Sequence, residues 1–295
     1  MGKVVVTGGA GFIGSHLVDR LVADGYDVHV IDNLYSGKKE NVNSKAALHI
    51  ADIRSLDEIR PLFKDAVAVF HLAAYPSVQY SIEFPLETNE INVLGTQNVL
   101  IAANEAKVGK LIYSASCAAY GDQERAPFTE DMSPMPKSPY GMHKYIGEVY
   151  ARVWSEVYGL PTVSLRYFNV YGERQKADGA YASVVARFLK LRKEGQALTI
   201  TGDGEQTRDY VHVSDVVEAN MKAFKSDKVG KGEVVNIGSG KEISVNTIAK
   251  LVGGEVKYVP ARLEPRRALA DITLAKRLLD WEPEVLPEEG IKQLL

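Results

Sequence analysis

Apolar residues along this chain alternate between short β-branched runs and longer stretches at helical spacing. Lys3-Val4-Val5-Val6 is followed by Ser15-His16-Leu17-Val18-Asp19-Arg20-Leu21-Val22, and then by Val28-His29-Val30-Ile31. Unbroken apolar runs point to strands buried on both faces, whereas apolar positions at i, i+3, i+4 and i+7 point to helices with one buried stripe. The rhythm continues with strands over residues 47–50, 67–74, 110–114 and 162–167. Between them the pattern predicts a helix capped by Ser55 and running to about residue 64, and a long helix over 88–107. A third helix is opened by Pro139 and reaches about Tyr158. Such alternation predicts an α/β fold, a Rossmann-like doubly wound parallel sheet that binds ligands at the carboxyl ends of its strands. Beyond residue 171 the rhythm changes to a polar loop over 173–179, a helix over 181–194 and shorter elements. This predicts a nucleotide-binding domain over 1–171 and a smaller α/β substrate domain over 172–295, with some later segments returning to the first. The last residues, past Trp281-Glu282-Pro283, read as one final helical turn.

The turn after the first strand carries the first chemistry. Thr7-Gly8-Gly9-Ala10-Gly11-Phe12-Ile13-Gly14 stands between a strand and a helix, the arrangement that receives a dinucleotide pyrophosphate on free helix N–H groups. Gly8 permits the tight turn, Gly11 a close backbone approach and Gly14 close packing of helix on strand. Asp32 ends the second strand, 18 residues after Gly14. A carboxylate there accepts from the ribose hydroxyls and repels a 2′-phosphate, which selects NAD over NADP. The small residues Ala73 and Ala74 at the end of the fourth strand leave room for such a cofactor.

Composition narrows the setting. The 295 residues are 45% hydrophobic and 25% charged, ordinary for a globular enzyme, and the net charge of −3 offers no general attraction to nucleic acid or anionic membranes. The single cysteine, Cys117, excludes an internal disulfide framework and suits a reducing compartment. The glycine-broken N-terminus does not read as a signal peptide, and no apolar stretch is long enough to span a membrane. A soluble cytoplasmic protein is expected.

Tyr140 and Lys144 lie four residues apart on the helix opened by Pro139, so they share a face. A phenol is a poor base at neutral pH, and an ammonium beside it favours the phenolate. Together with the glycine turn, Tyr140-Gly141-Met142-His143-Lys144 resembles the extended short-chain dehydrogenase/reductase family, and within it the UDP-glucose (UDP-galactose) 4-epimerases. Further motifs carry the likeness: Asp32-Asn33-Leu34, Asp52-Ile53, His71-Leu72-Ala73-Ala74, Asn92-Val93-Leu94-Gly95-Thr96, Arg166-Tyr167-Phe168-Asn169 and the stretch from Gly202 to Val213.

The resemblance implies a catalytic set of Ser116, Tyr140 and Lys144. It implies a cofactor site lined by Gly8, Gly11, Phe12, Ile13, Gly14, Asp32, Asn33, Leu34, Ser36, Gly37, Asp52, Ile53, Leu72, Ala73, Ala74, Asn92, Ser114 and Tyr167 besides Tyr140 and Lys144. It places the UDP-sugar substrate against Ser116, Tyr140, Asn169, Arg208 and Arg262, and implies no metal. A homodimer through the helices near 88–107 and 139–158 is expected by the same likeness. Dehydratases of the family carry an Asp-Glu pair after the catalytic hydroxyl residue, and UDP-glucuronate decarboxylases a glutamate two residues before the tyrosine of Tyr-Gly. Here Cys117 and Ala118 hold those positions, and neither can supply an additional acid or base. The expected reaction is therefore inversion at C4 of a UDP-hexose through a transient 4-keto sugar, with NAD regenerated in each turnover. Other readings of the fold are a nucleotide-sugar reductase that exchanges its cofactor and a non-catalytic NAD-sensing regulator. Thr201 stands where many relatives have an aromatic residue near the base. Ala268 stands near a position where a bulky tyrosine excludes N-acetylated sugars, so such substrates are also expected to fit.

Overall fold

A computed structural model describes residues 2–177, 183–261 and 266–295. Its first half runs β1 (Lys3–Thr7), α1 (Phe12–Ala23), β2 (Asp27–Asp32), β3 (Ala47–Ile50), α2 (Leu56–Ile59), β4 (Ala66–His71), α3 (Val78–Glu83), α4 (Pro85–Asn89) and α5 (Gly95–Glu105). It continues with β5 (Lys110–Ser116), α6 (Pro139–Tyr158) and β6 (Thr162–Tyr167). The second half holds β7 (Val170–Tyr171), α7 (Val184–Lys193), β8 (Leu198–Thr201), β9 (Thr207–Asp209), β10 (Val211–His212) and α8 (Val213–Lys225). After these come β11 (Lys231–Ile237), β12 (Glu242–Ser244), α9 (Val245–Val252), β13 (Val256–Val259), α10 (Thr273–Leu279) and α11 (Pro287–Gln293).

The apolar runs form one seven-stranded parallel sheet in the order β11-β6-β5-β4-β1-β2-β3. From β1 the chain winds outward to β2 and β3, then crosses to β4 on the other side of β1. That reversal opens a crevice at the carboxyl ends of β1 and β4, where open parallel sheets bind ligands. Both faces are covered. Leu17, Val18 and Leu21 of α1 share one core with Val216, Val217 and Met221 of α8 and with Trp281. Ile59, Phe63, Val99, Ala103 and Trp154 form the core of the opposite face. Late segments thus return to the sheet: β11 lies beside β6, with Val235 opposite Leu165. A separate core of Tyr171, Phe188, Leu198, Ile200, Ile248 and Val252 holds the remaining short elements together. Among the described residues no helix is long and apolar enough to cross a membrane.

Two helices differ from their sequence expectation. The one expected over 55–64 is α2 followed by a 3-10 turn over Arg60–Phe63, and Ser55 sits at its N-cap position without a side-chain cap bond. Pro61 cannot donate a backbone N–H, and the helix tightens there. The one expected over 88–107 begins earlier, at Pro85, and is interrupted by a π-helical turn over Glu90–Leu94. Buried Asn92 lies in that turn, its amide gripping the backbone of Tyr75: Oδ1 accepts from Tyr75 N at 2.7 Å and Nδ2 donates to Tyr75 O at 3.2 Å. The widened turn points Asn92 at the loop after β4. The expected start of the next helix, Tyr181, lies outside the described residues; from Val184 onward α7 is present, capped by Ser183.

Candidate active site

The glycine turn is shaped by contact. Gly8 has φ 74°, and a Cβ on it would meet the Ala73 backbone nitrogen at 2.7 Å, so the ends of β1 and β4 touch. A Cβ on Gly14 would overlap the Gly8 carbonyl oxygen, which any larger residue would push away. Helix α1 begins at Phe12 with no side chain capping it, and its first-turn N–H groups remain available to an anion. Asp32 accepts from Ala10 N at 3.0 Å and Leu34 N at 2.8 Å, while burial pushes its carboxyl above the usual carboxylate range. Those bonds tie the loop bearing Asn33, Leu34, Ser36 and Gly37 onto the glycine turn, as does Lys38 N donating to Ala10 O at 3.0 Å. Asn33 Nδ2 reaches Asp52 Oδ2 at 2.9 Å, and the Arg54 guanidinium holds Asp52 down at about 2. Ile53 is buried in the core beside Gly95, while Leu72, Ala73 and Ala74 stay half-buried along the crevice. Open helix N–H groups, a small-residue trough and a carboxylate at the end of β2 fit a dinucleotide. Below the trough His71, buried between Thr7 Oγ1 at 2.7 Å and Thr96 Oγ1 at 3.0 Å, is held neutral by burial, its pKa near 3.

The catalytic candidates meet where β5 ends and α6 begins. Ser138 caps α6 by accepting from Gly141 N, and Pro139 opens its first turn, which fixes the helix start. The Tyr140 hydroxyl lies near enough to the Ser116 side chain for that hydroxyl to favour its phenolate, and Ser116 Oγ accepts from Ala118 N at 3.2 Å. Lys144 is 3% exposed and donates to the Ser114 carbonyl at 2.6 Å. Burial pulls its pKa to about 8, against the attraction of Glu148. Burial pushes the Tyr140 phenol up to about 12, with the Ser116 hydroxyl acting the other way. The sequence led us to expect that Lys144 makes this phenol acidic. In the protein alone burial dominates and the phenol is raised, while the Lys144 ammonium donates to the Ser114 carbonyl. Tyr167 is buried and donates to Asn220 Oδ1 at 2.9 Å.

Two of the expected substrate contacts, Asn169 and Arg208, act on Cys117. Its thiol, pushed up to about 11 by burial, is reached by the Asn169 backbone N–H and by the charge of Arg208. Asn169 Nδ2 also donates to Asp209 O at 2.8 Å, and Arg208 Nη1 to Thr207 O at 2.8 Å. Asp203 takes Arg266 at 2.8 Å and 2.9 Å, and Arg267 pairs with Glu242 at 2.7 Å. Arg262 lies outside the described residues. Buried Asp209 is the clasp of this side, accepting from Ser239 N, Ser239 Oγ, Gly240 N and Ala270 N. Sequence reasoning did not foresee this clasp, nor the Glu148–Arg166 pair behind Lys144. For Glu148 a signal existed, its spacing of four from Lys144; Arg166 on β6 entered only within the motif Arg166-Tyr167-Phe168-Asn169, with no partner implied.

A parallel nucleotide-binding sheet with a serine, tyrosine and lysine at its carboxyl edge defines a dehydrogenase-type enzyme of the short-chain class. Residues 4–238 match the NAD dependent epimerase/dehydratase family, and the chain belongs to that family. It is 42% identical to a putative UDP-glucose 4-epimerase of Methanocaldococcus jannaschii, over 99% of this chain and 97% of that one. Among solved structures it is similar to the UDP-glucose 4-epimerase of Thermotoga maritima with UDP-glucose, with TM-score 0.94, 42% identity and coverage of 98% and 96%. It is also similar to a UDP-N-acetylglucosamine 4-epimerase of Methanobrevibacter ruminantium in complex with UDP-N-acetylmuramic acid, with TM-score 0.94, 36% identity and coverage of 99% and 96%. Decarboxylases of UDP-sugar acids are relatives too. The chain is thus an NAD-dependent enzyme of the extended short-chain family whose relatives act on nucleotide sugars.

Proposed function

We propose that the protein inverts C4 of a UDP-hexose, interconverting UDP-glucose and UDP-galactose. The observation that carries this reading is the Tyr140–Ser116 hydroxyl pair above a buried Lys144, with Cys117 and Ala118 where eliminating and decarboxylating relatives need carboxylates. Gly8, Gly11 and Gly14 with the α1 N–H groups would hold the pyrophosphate, Asp32 the adenosine ribose, and Lys144 the nicotinamide ribose. Bound NAD supplies a hydride acceptor at C4 and a positive ring that favours the Tyr140 phenolate. Tyr140 Oη takes the O4 proton while Ser116 Oγ holds O4 in place, leaving a 4-keto sugar. That sugar turns about its diphosphate, held by Arg208 and Arg262, and regains hydrogen on the opposite face as Tyr140 returns the proton to O4. A homodimer in the cytoplasm is the assembly and setting we infer.

Incubation with UDP-galactose and no added cofactor, followed by resolution of the product sugars, tests the reading. A mixture of UDP-galactose and UDP-glucose is expected; unchanged UDP-galactose in a protein that contains NAD sinks it. Ala268, standing near a position where the resembling epimerases can carry a bulky tyrosine, leads us to infer that UDP-N-acetylhexosamines are accepted as well. No conversion of UDP-N-acetylglucosamine by enzyme active on UDP-glucose would remove that extension.

A further inference from the structure

Helix α6 presents a third polar side chain on the face of Tyr140 and Lys144. Glu148 follows Lys144 by one turn, is 3% exposed, and accepts from Arg166 Nε at 2.8 Å and Nη2 at 2.7 Å. Arg166, on β6 and equally buried, lies over the Tyr120 ring at 4.4 Å, and the Tyr120 hydroxyl donates to Asn236 Oδ1 at 2.7 Å. A buried ion pair of this kind seldom adds stability, since desolvation offsets the Coulomb gain and an apolar pair of similar volume serves as well. Its presence calls for another reason, and Lys144 is one helical turn away. Glu148 and Lys144 attract each other. Yet the Arg166 fork occupies both carboxylate oxygens, and the ammonium bonds the Ser114 carbonyl instead.

We propose that Arg166 is a positioning residue that holds the Glu148 carboxylate one turn back from Lys144, so that Glu148 keeps the ammonium charged without capturing it. This rests on the role of Lys144 in the proposed reaction. The other groups that face the ammonium give it no negative charge. On β4 stands His71, held neutral by burial. On β5 the Tyr113 ring lies 5.1 Å away, its phenol pushed well up by burial. On β6 the Tyr167 phenol is likewise raised, and on α6 Tyr140 is raised to about 12. Among the described residues Glu148 is the one carboxylate acting on Lys144.

Removing either partner should then move Lys144 in opposite directions. In Glu148→Gln the attraction is gone and Lys144 loses its proton at lower pH. In Arg166→Met the freed carboxylate pairs with Lys144 directly, which keeps its proton to higher pH while Nζ leaves the Ser114 carbonyl. The experiment titrates 13Cε-labelled Lys144 by NMR in NAD-loaded protein and, in parallel, records the alkaline limb of kcat on UDP-glucose. Shifts of about one pH unit, downward for Glu148→Gln and upward for Arg166→Met, are expected. The double variant Glu148→Met/Arg166→Met replaces the pair by apolar volume and is expected to fold and to titrate as Glu148→Gln does. It decides the matter if a single variant does not fold. A double variant titrating as the parent, or single variants moving the same way, overturns the proposal and leaves the pair a packing device. Absence of turnover in the parent enzyme sinks the epimerase reading alone, because the NMR titration needs no turnover.

Discussion

The two sides of the site are built on different electrostatics. On the α6 side Lys144, Glu148 and Arg166 are charged groups packed away from water, with Tyr140 half-buried beside them, and short hydrogen bonds hold Lys144 to the Ser114 carbonyl and Glu148 to Arg166. On the β9 side Arg266 and Arg267 lie at the surface in pairs with Asp203 and Glu242, and Arg208 is only half-buried. Buried charge costs folding energy and rewards it with a fixed geometry and strong local fields. Exposed pairs cost little and contribute little, but their side chains can exchange partners when a diphosphate arrives. In the reaction proposed above, the chemistry would fall on the buried side and recognition of a polyanion on the adaptable one.

Substitutions can break or sharpen that contrast. The largest effect is expected at Tyr140: Tyr140→Phe should lower kcat on UDP-galactose by about 10³-fold or more while the protein retains its NAD. An unchanged kcat would remove the α6 side from the chemistry. Next is Lys144→Met, which should lose activity about 10²-fold or more yet gain up to about 3 kcal/mol of stability near neutral pH in cofactor-free protein. The sign follows from the lysine pKa of about 8 in the folded protein, below its unfolded value. Between those two values the unfolded chain binds one more proton, so the parent gains stability as pH rises through that window. The advantage of the methionine variant is therefore full below pH 8 and closes toward pH 10, which denaturant melts at several pH values would show. On the other side, Arg208→Ala should raise KM for the UDP-sugar about 10-fold or more with kcat within a few-fold, the mark of lost ground-state binding. The smallest effect belongs to Arg266→Ala, for which thermal melts should show no change in Tm. A large loss of stability there would mean that the β9 side is as rigid as α6.

Much of this architecture could be read from the residues in order. Helix Pro139–Tyr158 and strand Thr162–Tyr167 fall where their patterning places them, because a proline at the first turn, a serine cap and a β-branched run are all local signals. The shortened helix at Pro61 and the π turn around Asn92 were not legible in that way. A π turn needs a distant partner, here the Tyr75 backbone, to reward the extra residue. The direction in which Lys144 points was equally hidden, since its i, i+4 spacing from Tyr140 says that the two share a face and nothing of the Ser114 carbonyl that competes for the ammonium.

By itself the sequence determined the winding of the sheet, the glycine turn, Asp32 at the end of β2 and the tyrosine–lysine spacing, all of which depend on residues close along the chain. Only the tertiary structure decided which charges are buried together. Glu148 on α6, Arg166 on β6 and Asn236 on β11 become neighbours when three separate elements pack, and Asp209 becomes a clasp only when residues 239–240 and 270 fold over it. Side-chain charge states follow desolvation and partners, and both arise from contacts between residues far apart in sequence.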